Sequence, residues 1–278
     1  MAYAYKHISV KVDGGVAFAT LSNPPINLIT LPFSAELAQL AQEIAKDDAV
    51  LALVLRSDDP DFWLAHFDVA AIVDFPTEGV APLNREVGDN FYHAMCELYR
   101  TMPKATIAEI NGRAGGGGSE LALSCDMRFG ALGKTIINQP EVAIGILPGG
   151  TGTQRLPRLV GRGRALEMIL GCDDLDAATA ERWGYLNRAL PPAELRPFVD
   201  RLARRIASFP APAIAAAKRA TLASEASWER GLIEESHLFQ VLLRTPQAPA
   251  AMKKFLASGG QTREGEKQLG KLAGALGE

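Results

Sequence analysis

The sequence of 278 residues holds only three cysteines, Cys96, Cys125 and Cys172, and no CxxC pair. An odd set without that spacing argues against a disulfide framework or a cysteine-rich zinc site, and fits free thiols in a reducing compartment. The four histidines, His7, His66, His93 and His237, show no metal-ligand spacing, and HExxH is absent. No apolar run reaches membrane-spanning length, and Met1 to Val10 lacks an apolar signal core. There is no long basic stretch, and 29 basic against 32 acidic residues leave a net charge of −3. Binding to a phosphate backbone needs clustered Lys and Arg, so a nucleic-acid partner is not indicated. Walker and dinucleotide glycine patterns are missing, and Gly117-Gly118-Ser119-Glu120-Leu121 is not a GxSxG elbow, because leucine takes the last place. What is present is 47% hydrophobic and 22% charged residues, the composition of a globular chain able to bury a core. A soluble cytoplasmic protein without a membrane or nucleic-acid partner is expected.

Along the chain, His7 to Lys11 and Val16 to Leu21 read as two strands joined at Asp13-Gly14-Gly15. Phe33, Leu37, Leu40 and Ile44 recur at helical spacing, with Ser34 as the expected N-cap. Val50 to Leu55 is a continuous apolar run, as in a strand buried on both faces, and Ala105 to Ile110 reads as another buried strand. Leu83, Val87, Phe91, Met95 and Leu98 mark a helix that ends before Pro103. Met127 to Phe129 is a short strand. Arg164 to Leu170 is a helix closed by Gly171, and Asp176 to Trp183 one closed by Gly184. From about Glu194 helices dominate, with breaks near Pro210, Pro212, Pro246 and Pro249. Strands alternating with helices and followed by helices alone predict an α/β core with a helical C-terminal segment.

The densest local signal is Asn111 to Gly118, with five glycines. A strand should end near Ile110 and a helix should begin within the glycines. Glycine lets backbone approach a ligand closely. The first N–H groups of a helix lack internal partners and attract negative charge. The same run also fits a tightly packed turn. Glu120 follows it early in the predicted helix, and Glu141 follows Pro140. Taken alone, Glu120 reads as a dipole-stabilising first-turn acid and Glu141 as a surface loop acid. Spacing does not show whether the two converge.

The order Ile107-Ala108-Glu109-Ile110-Asn111-Gly112, Gly115 to Asp126, Gln139-Pro140-Glu141, Gly145 to Gly150 and Gly152 to Arg158 resembles the crotonase superfamily of enoyl-CoA hydratases and isomerases. Weaker similarity covers Asn23 to Asn27 and Phe62 to Asp68. The resemblance implies a spiral of β-β-α turns over residues 1–195. It implies a helical segment over 196–278 for trimerisation and pocket closure, and a homotrimer or homohexamer. It implies an acyl-CoA thioester as ligand, with no cofactor besides the CoA that belongs to the substrate. The backbone N–H groups of Phe67 and Gly117 would hold the developing enolate oxygen. Losing one such donor typically costs about 3–4 kcal/mol of barrier. Glu141 would be the principal proton donor, and Glu120 the base that orients water. Ala65, His66, Asp68, Gly116, Pro140 and Gly149 would shape the substrate site. The retention of both acids favours hydration of a 2-enoyl-CoA. Isomerisation, hydration coupled to carbon–carbon cleavage, and a non-catalytic structural or RNA-binding homologue remain the alternatives.

Three features depart from the resemblance. His66 stands where a glycine is usual, which a backbone with φ below zero tolerates. Its plain reading is a packed, hydrogen-bonded histidine, and that of Asp68 a helix N-cap. Asp58-Asp59-Pro60-Asp61 is acidic where relatives carry basic or neutral residues near the CoA nucleotide. Ser258-Gly259-Gly260 replaces basic residues, with Lys253 and Lys254 one turn earlier.

Overall fold

The computed structural model describes residues 3–75 and 90–225, with isolated positions between 246 and 259. Strands β1 (Ile8–Asp13) and β2 (Val16–Leu21) pair antiparallel, with Asp13 opposite Val16. Gly14 and Gly15 turn the chain at φ 56° and 77°, conformations that favour glycine and match the twist of a two-residue hairpin. Helix α1 (Leu31–Lys46) buries Phe33, Leu37, Leu40 and Ile44, the four residues of the predicted stripe. It begins earlier than predicted. Thr30, not Ser34, is the N-cap, because Pro32 already suits the first turn and the Thr30 hydroxyl accepts from the Phe33 N–H. Ser34 is buried and donates to the Leu31 carbonyl.

The chain then repeats one path three times. Strand β3 (Ala52–Ser57) leads to the short strand β4 (Phe62–Leu64) and helix α2 (Val69–Val73). Next comes helix α3 (Phe91–Thr101), capped by Asn90. The second pass is β5 (Ala105–Ile110), β6 (Arg113–Gly115) and helix α4 (Gly116–Ser124). The third is β7 (Met127–Ala131), β8 (Ile136–Asn138) and a 3-10 helix over Glu141–Ile144. Helices α5 (Gly152–Val160) and α6 (Arg162–Gly171) follow. Then come β9 (Leu175–Asp176), α7 (Ala177–Trp183), β10 (Arg188–Leu190), α8 (Pro192–Ala207) and α9 (Ala211–Ala223). This is the expected spiral of β-β-α turns. The first strand of each pass joins a six-stranded sheet of order β1-β2-β3-β5-β7-β10. The second joins a four-stranded sheet of order β4-β6-β8-β9.

Two cores flank the large sheet. On one face Leu195, Val199 and Ala203 of α8 cover Val16, Phe18, Val54, Ile107 and Phe129. There the buried Glu109 of β5 accepts from Arg196 Nε at 3.0 Å and pairs with Arg56 at 3.1 Å, so this motif acid ties α8 to the sheet. The other face buries α1, α3, α4 and the small sheet around Trp63, Tyr99 and Tyr185. Helix α6 runs through Gly171, and Cys172 takes the left-handed cap position at φ 54° that was expected of the glycine. α7 matches its prediction, with the Asp176 carboxylate accepting from Thr179 N–H and Gly184 at φ 85°. Leu83 and Val87 of the predicted helix lie outside the described residues.

Behind β4 the loop 23–30 supplies a backing strip for the segment after that strand. Asn27 O accepts from Ala65 N–H, Ile29 N–H donates to His66 O, and Asp68 N–H donates to Ile29 O. Asn27 is 1% exposed, sits at φ 51°, and its amide donates to Ser57 Oγ and to the carbonyls of Phe62 and Trp63. Asn27→Ala should cost about 2–4 kcal/mol, from orphaned buried partners and a left-handed backbone that alanine disfavours. Asn27→Gly should recover about 1 kcal/mol of that through its backbone freedom. Equal losses in urea unfolding of the two variants would exclude the backbone contribution.

Candidate active site

Strands β4, β6 and β8 are parallel neighbours, with Leu64 opposite Ala114 and Gly115 opposite Asn138. Their C-terminal ends therefore deliver Ala65–Phe67, Gly116–Gly117 and Gln139–Glu141 to one place, where open parallel sheets commonly bind ligands. A cavity of about 450 Å³ opens there. Its walls include Phe67, Phe91, Ile144, Ile146 and Leu147, and the carboxylates of Glu120 and Glu141 face it.

The glycine run is a packing device. A Cβ on Gly118 would collide with the Leu64 carbonyl, and one on Gly115 with the Ala65 carbonyl at 2.5 Å. A Cβ on Gly116, which sits at φ 45°, would lie 2.7 Å from Glu141 Oε1 and 3.2 Å from His66 Cβ. On Gly117 it would lie 3.3 Å from Phe67 Cβ. Only glycine lets the start of α4 press this closely on the segment after β4. The start of α4 has no side-chain cap, so the Gly117 N–H is one of the helix's orphan donors. Phe67 pairs with Ile29 as a parallel bridge through its neighbours' peptide groups, which turns its own N–H to the other side. Among the described residues neither N–H has a protein acceptor.

Glu120 is 3% exposed and lies in the second turn of α4, past the reach of a first-turn dipole acid. Its Oε1 accepts from Gly150 N–H and Gly152 N–H, each at 2.7 Å. Burial pushes its pKa up to about 7; the two N–H donors oppose that rise and the charge of Glu141 adds to it. Glu141, 8% exposed, opens the 3-10 helix and is no surface acid. Burial likewise raises it to about 7, and its Oε2 has no hydrogen-bond partner. The site thus holds two buried acids near neutrality, one clamped by amides and one with an unpartnered oxygen.

Of the residues expected to shape the site, Ala65, His66, Pro140 and Gly149 line the cavity with Phe67 and Gly117. Gly116 packs behind it, and Asp68 points away, capping α2 through the Ala70 N–H. His66 has a non-positive φ, and its Nδ1 donates to the Phe67 carbonyl at 2.8 Å. Asp59 of the acidic loop turns inward and accepts from the N–H groups of Asp61 and Phe62, while Asp58 and Asp61 are exposed. Sequence reasoning missed the Gly150–Gly152 clamp and Tyr92 of α3, whose hydroxyl donates to the Gly117 carbonyl at 2.7 Å. Long-range contacts of this kind leave no periodic trace. Among the described residues no cluster could hold a metal ion, and no helix is long and apolar enough to cross a membrane.

A β-β-α spiral with a glycine-opened helix beside paired buried acids is the crotonase-type fold. The chain belongs to the enoyl-CoA hydratase/isomerase family, whose model matches residues 11–262. It is 32% identical over 255 residues to a crotonyl-CoA hydratase of Syntrophomonas wolfei, covering 91% of this chain and 96% of that one. It is likewise 32% identical over 255 residues to a short-chain-enoyl-CoA hydratase of Clostridium acetobutylicum, covering 90% and 94%. The solved structure of Pseudomonas aeruginosa DspI superposes with a TM-score of 0.82 at 31% identity, covering 92% and 96%.

Two carboxylic acids that titrate near 7 in the folded chain and near 4.5 when unfolded make stability fall as pH rises between those values. The folded state binds more protons there, and above about 7 it carries the full cost of ionised buried acids. Glu141→Gln should therefore raise the thermal midpoint over wild type at about pH 8, and the gain should shrink toward pH 5. A gain independent of pH in calorimetry would mean that Glu141 titrates normally.

Proposed function

We propose that the protein is an enoyl-CoA hydratase that adds water across the 2,3 double bond of a 2-enoyl-CoA thioester. The observation that carries this reading is the pair of buried acids, both raised to about 7, on a cavity that also holds two unpartnered backbone N–H groups. The thioester carbonyl would accept from Phe67 N–H and Gly117 N–H. Those donors are fixed before reaction and aim at charge that develops on the carbonyl oxygen.

Glu120, whose Oε1 is clamped by two amides, is the better stabilised anion, so it is the member of the pair that stands ionised and acts as base. Glu141, with no donor on Oε2, is the member that stands protonated and can deliver its proton. Water loses a proton to Glu120 as its oxygen bonds to C3. Electrons move through the double bond onto the thioester oxygen, and collapse of that enolate takes the Glu141 proton at C2. Transfer of one proton from Glu120 to Glu141 restores the pair, so the net change is one water added. Isomerisation would need only one such acid, and the burial of both supports hydration.

The same reading takes coenzyme A as part of the substrate with no separate cofactor, and a homotrimer or homohexamer in the cytoplasm. It takes residues 1–195 as the catalytic core, and 196–278 as the segment that assembles subunits and closes the pocket. RNA binding finds no support on α1. There Glu36 accepts from the N–H groups of Lys6 and His7, and Glu43 accepts from Tyr5 and Gln39, leaving no basic face.

With crotonyl-CoA and longer or aromatic enoyl-CoA thioesters, loss of the conjugated absorbance should be enzyme-dependent. Glu120→Gln and Glu141→Gln should each lower kcat by roughly 10²–10⁴ with KM little changed. Turnover needs one acid ionised and the other protonated, so the rate should peak near neutral pH and fall on both sides. Thioester binding without turnover of any of these substrates would sink the hydratase reading in favour of isomerase or lyase chemistry.

A further inference from the structure

Four successive glycines give the start of α4 the greatest backbone freedom in the chain, and no side chain caps it. Yet the Gly117 N–H must hold one direction to act as a fixed donor. The restraint comes from outside the helix. Asn90 Oδ1 accepts from the N–H groups of Tyr92 and His93, which locks the first turn of α3. From that turn the Tyr92 side chain, 6% exposed, reaches three parts of the site. Its hydroxyl donates to Gly117 O at 2.7 Å. Its ring meets Phe67 edge-on, with centroids 5.8 Å apart at 90°. Its edge lies against Gly150, where an added Cβ would come within 2.6 Å of Cδ1. Gly150 N–H is one of the two donors on Glu120. Burial holds the phenol well above its ordinary pKa, so the hydroxyl stays a donor across the working range of pH.

We infer that Tyr92 is the positioning residue of the oxyanion site, setting the two backbone donors and the Gly150 end of the Glu120 clamp relative to one another. The inference rests on the hydratase reading. One side chain touches the element that carries each donor, and it is the hydroxyl that orients the helix with no cap of its own. Tyr92 takes no proton from the substrate and supplies none; it acts through the groups it holds.

The test separates this role from plain packing. Tyr92→Phe keeps the ring contacts with Phe67 and Gly150 and removes the bond to Gly117 O. It should lower kcat by about tenfold, less than the 10²–10³ lost when a donor is removed outright, with KM within about twofold of wild type. Isotope-edited infrared spectra of the bound thioester carbonyl give the second readout. Wild type should pull the carbonyl stretch to lower frequency, and Tyr92→Phe should pull it less. Phe67→Leu, which keeps the hydroxyl bond and loses the ring contact, should also weaken the shift. It serves as the test if Tyr92→Phe does not fold. No shift in wild type would overturn the oxyanion reading itself. A full shift in wild type that is unchanged in a folded Tyr92→Phe, or failing that in Phe67→Leu, would overturn the role of Tyr92 alone.

Discussion

The site depends on one close approach, that of the first turn of α4 to the segment leaving β4. Backbone there meets backbone without intervening side chains, because Gly115, Gly116 and Gly118 have no Cβ to place against Ala65, His66 and Leu64. Four glycines in sequence are costly to order, by roughly 0.5–1 kcal/mol each relative to alanine in a helix. The approach offsets that cost in function. It faces Phe67 N–H and Gly117 N–H toward a common cavity, and it leaves room at Gly116 for the Glu141 carboxylate. Backing from loop 23–30 on one side and Tyr92 on the other keeps the two segments from drifting apart.

Much of the large sheet was legible because its signals are local. The β1–β2 turn announces itself in Asp13-Gly14-Gly15, β3 in the unbroken apolar run Val50 to Leu55, and α7 in an aspartate before it and a glycine after it. The small sheet was not legible. β4, β6 and β8 are three residues long, too short to show a period, and β6 ends inside a glycine run that reads as turn. Cap errors came from competition between neighbours. Thr30 displaced Ser34 because Pro32 fixed an earlier start, and Cys172 took the position that Gly171 could have held. The glycine run and both glutamates could be named from sequence, but their convergence is a property of the parallel register of β4, β6 and β8. His93 and Cys96 reach Gly149 O and Gly150 O across more than fifty residues, which no local pattern encodes.

The site also holds strain and charge that a purely structural core would avoid. Thr151, a β-branched residue at φ 105°, sits between the two glycines that clamp Glu120, a conformation that costs of order 1–3 kcal/mol. Its hydroxyl accepts from Arg155 Nε at 2.9 Å, and Arg155 pairs with Glu97 of α3. That chain holds the turn in place. Other acids away from the solvent have a cation beside them: Glu109 faces two arginines, and the half-buried Asp126 pairs with Lys218 of α9 at 2.9 Å. Glu141 Oε2 is buried with no hydrogen-bond partner, and no cation pairs with Glu141 among the described residues, whereas Glu109 Oε2, which also lacks a hydrogen bond, has Arg56 beside it.

Each pass of the spiral contributes a different part of the proposed site. Phe67 comes from the first, Gly117 and Glu120 from the second, Glu141 from the third, and the amides on Glu120 from the segment after it. The centre therefore works as a coincidence detector for assembly. A chain that has completed two passes has donors but no acid pair, and one with a slipped short strand has acids that miss the donors. Nascent or damaged molecules should thus be silent rather than partly active, and would not release reactive enolates from whatever thioesters they meet.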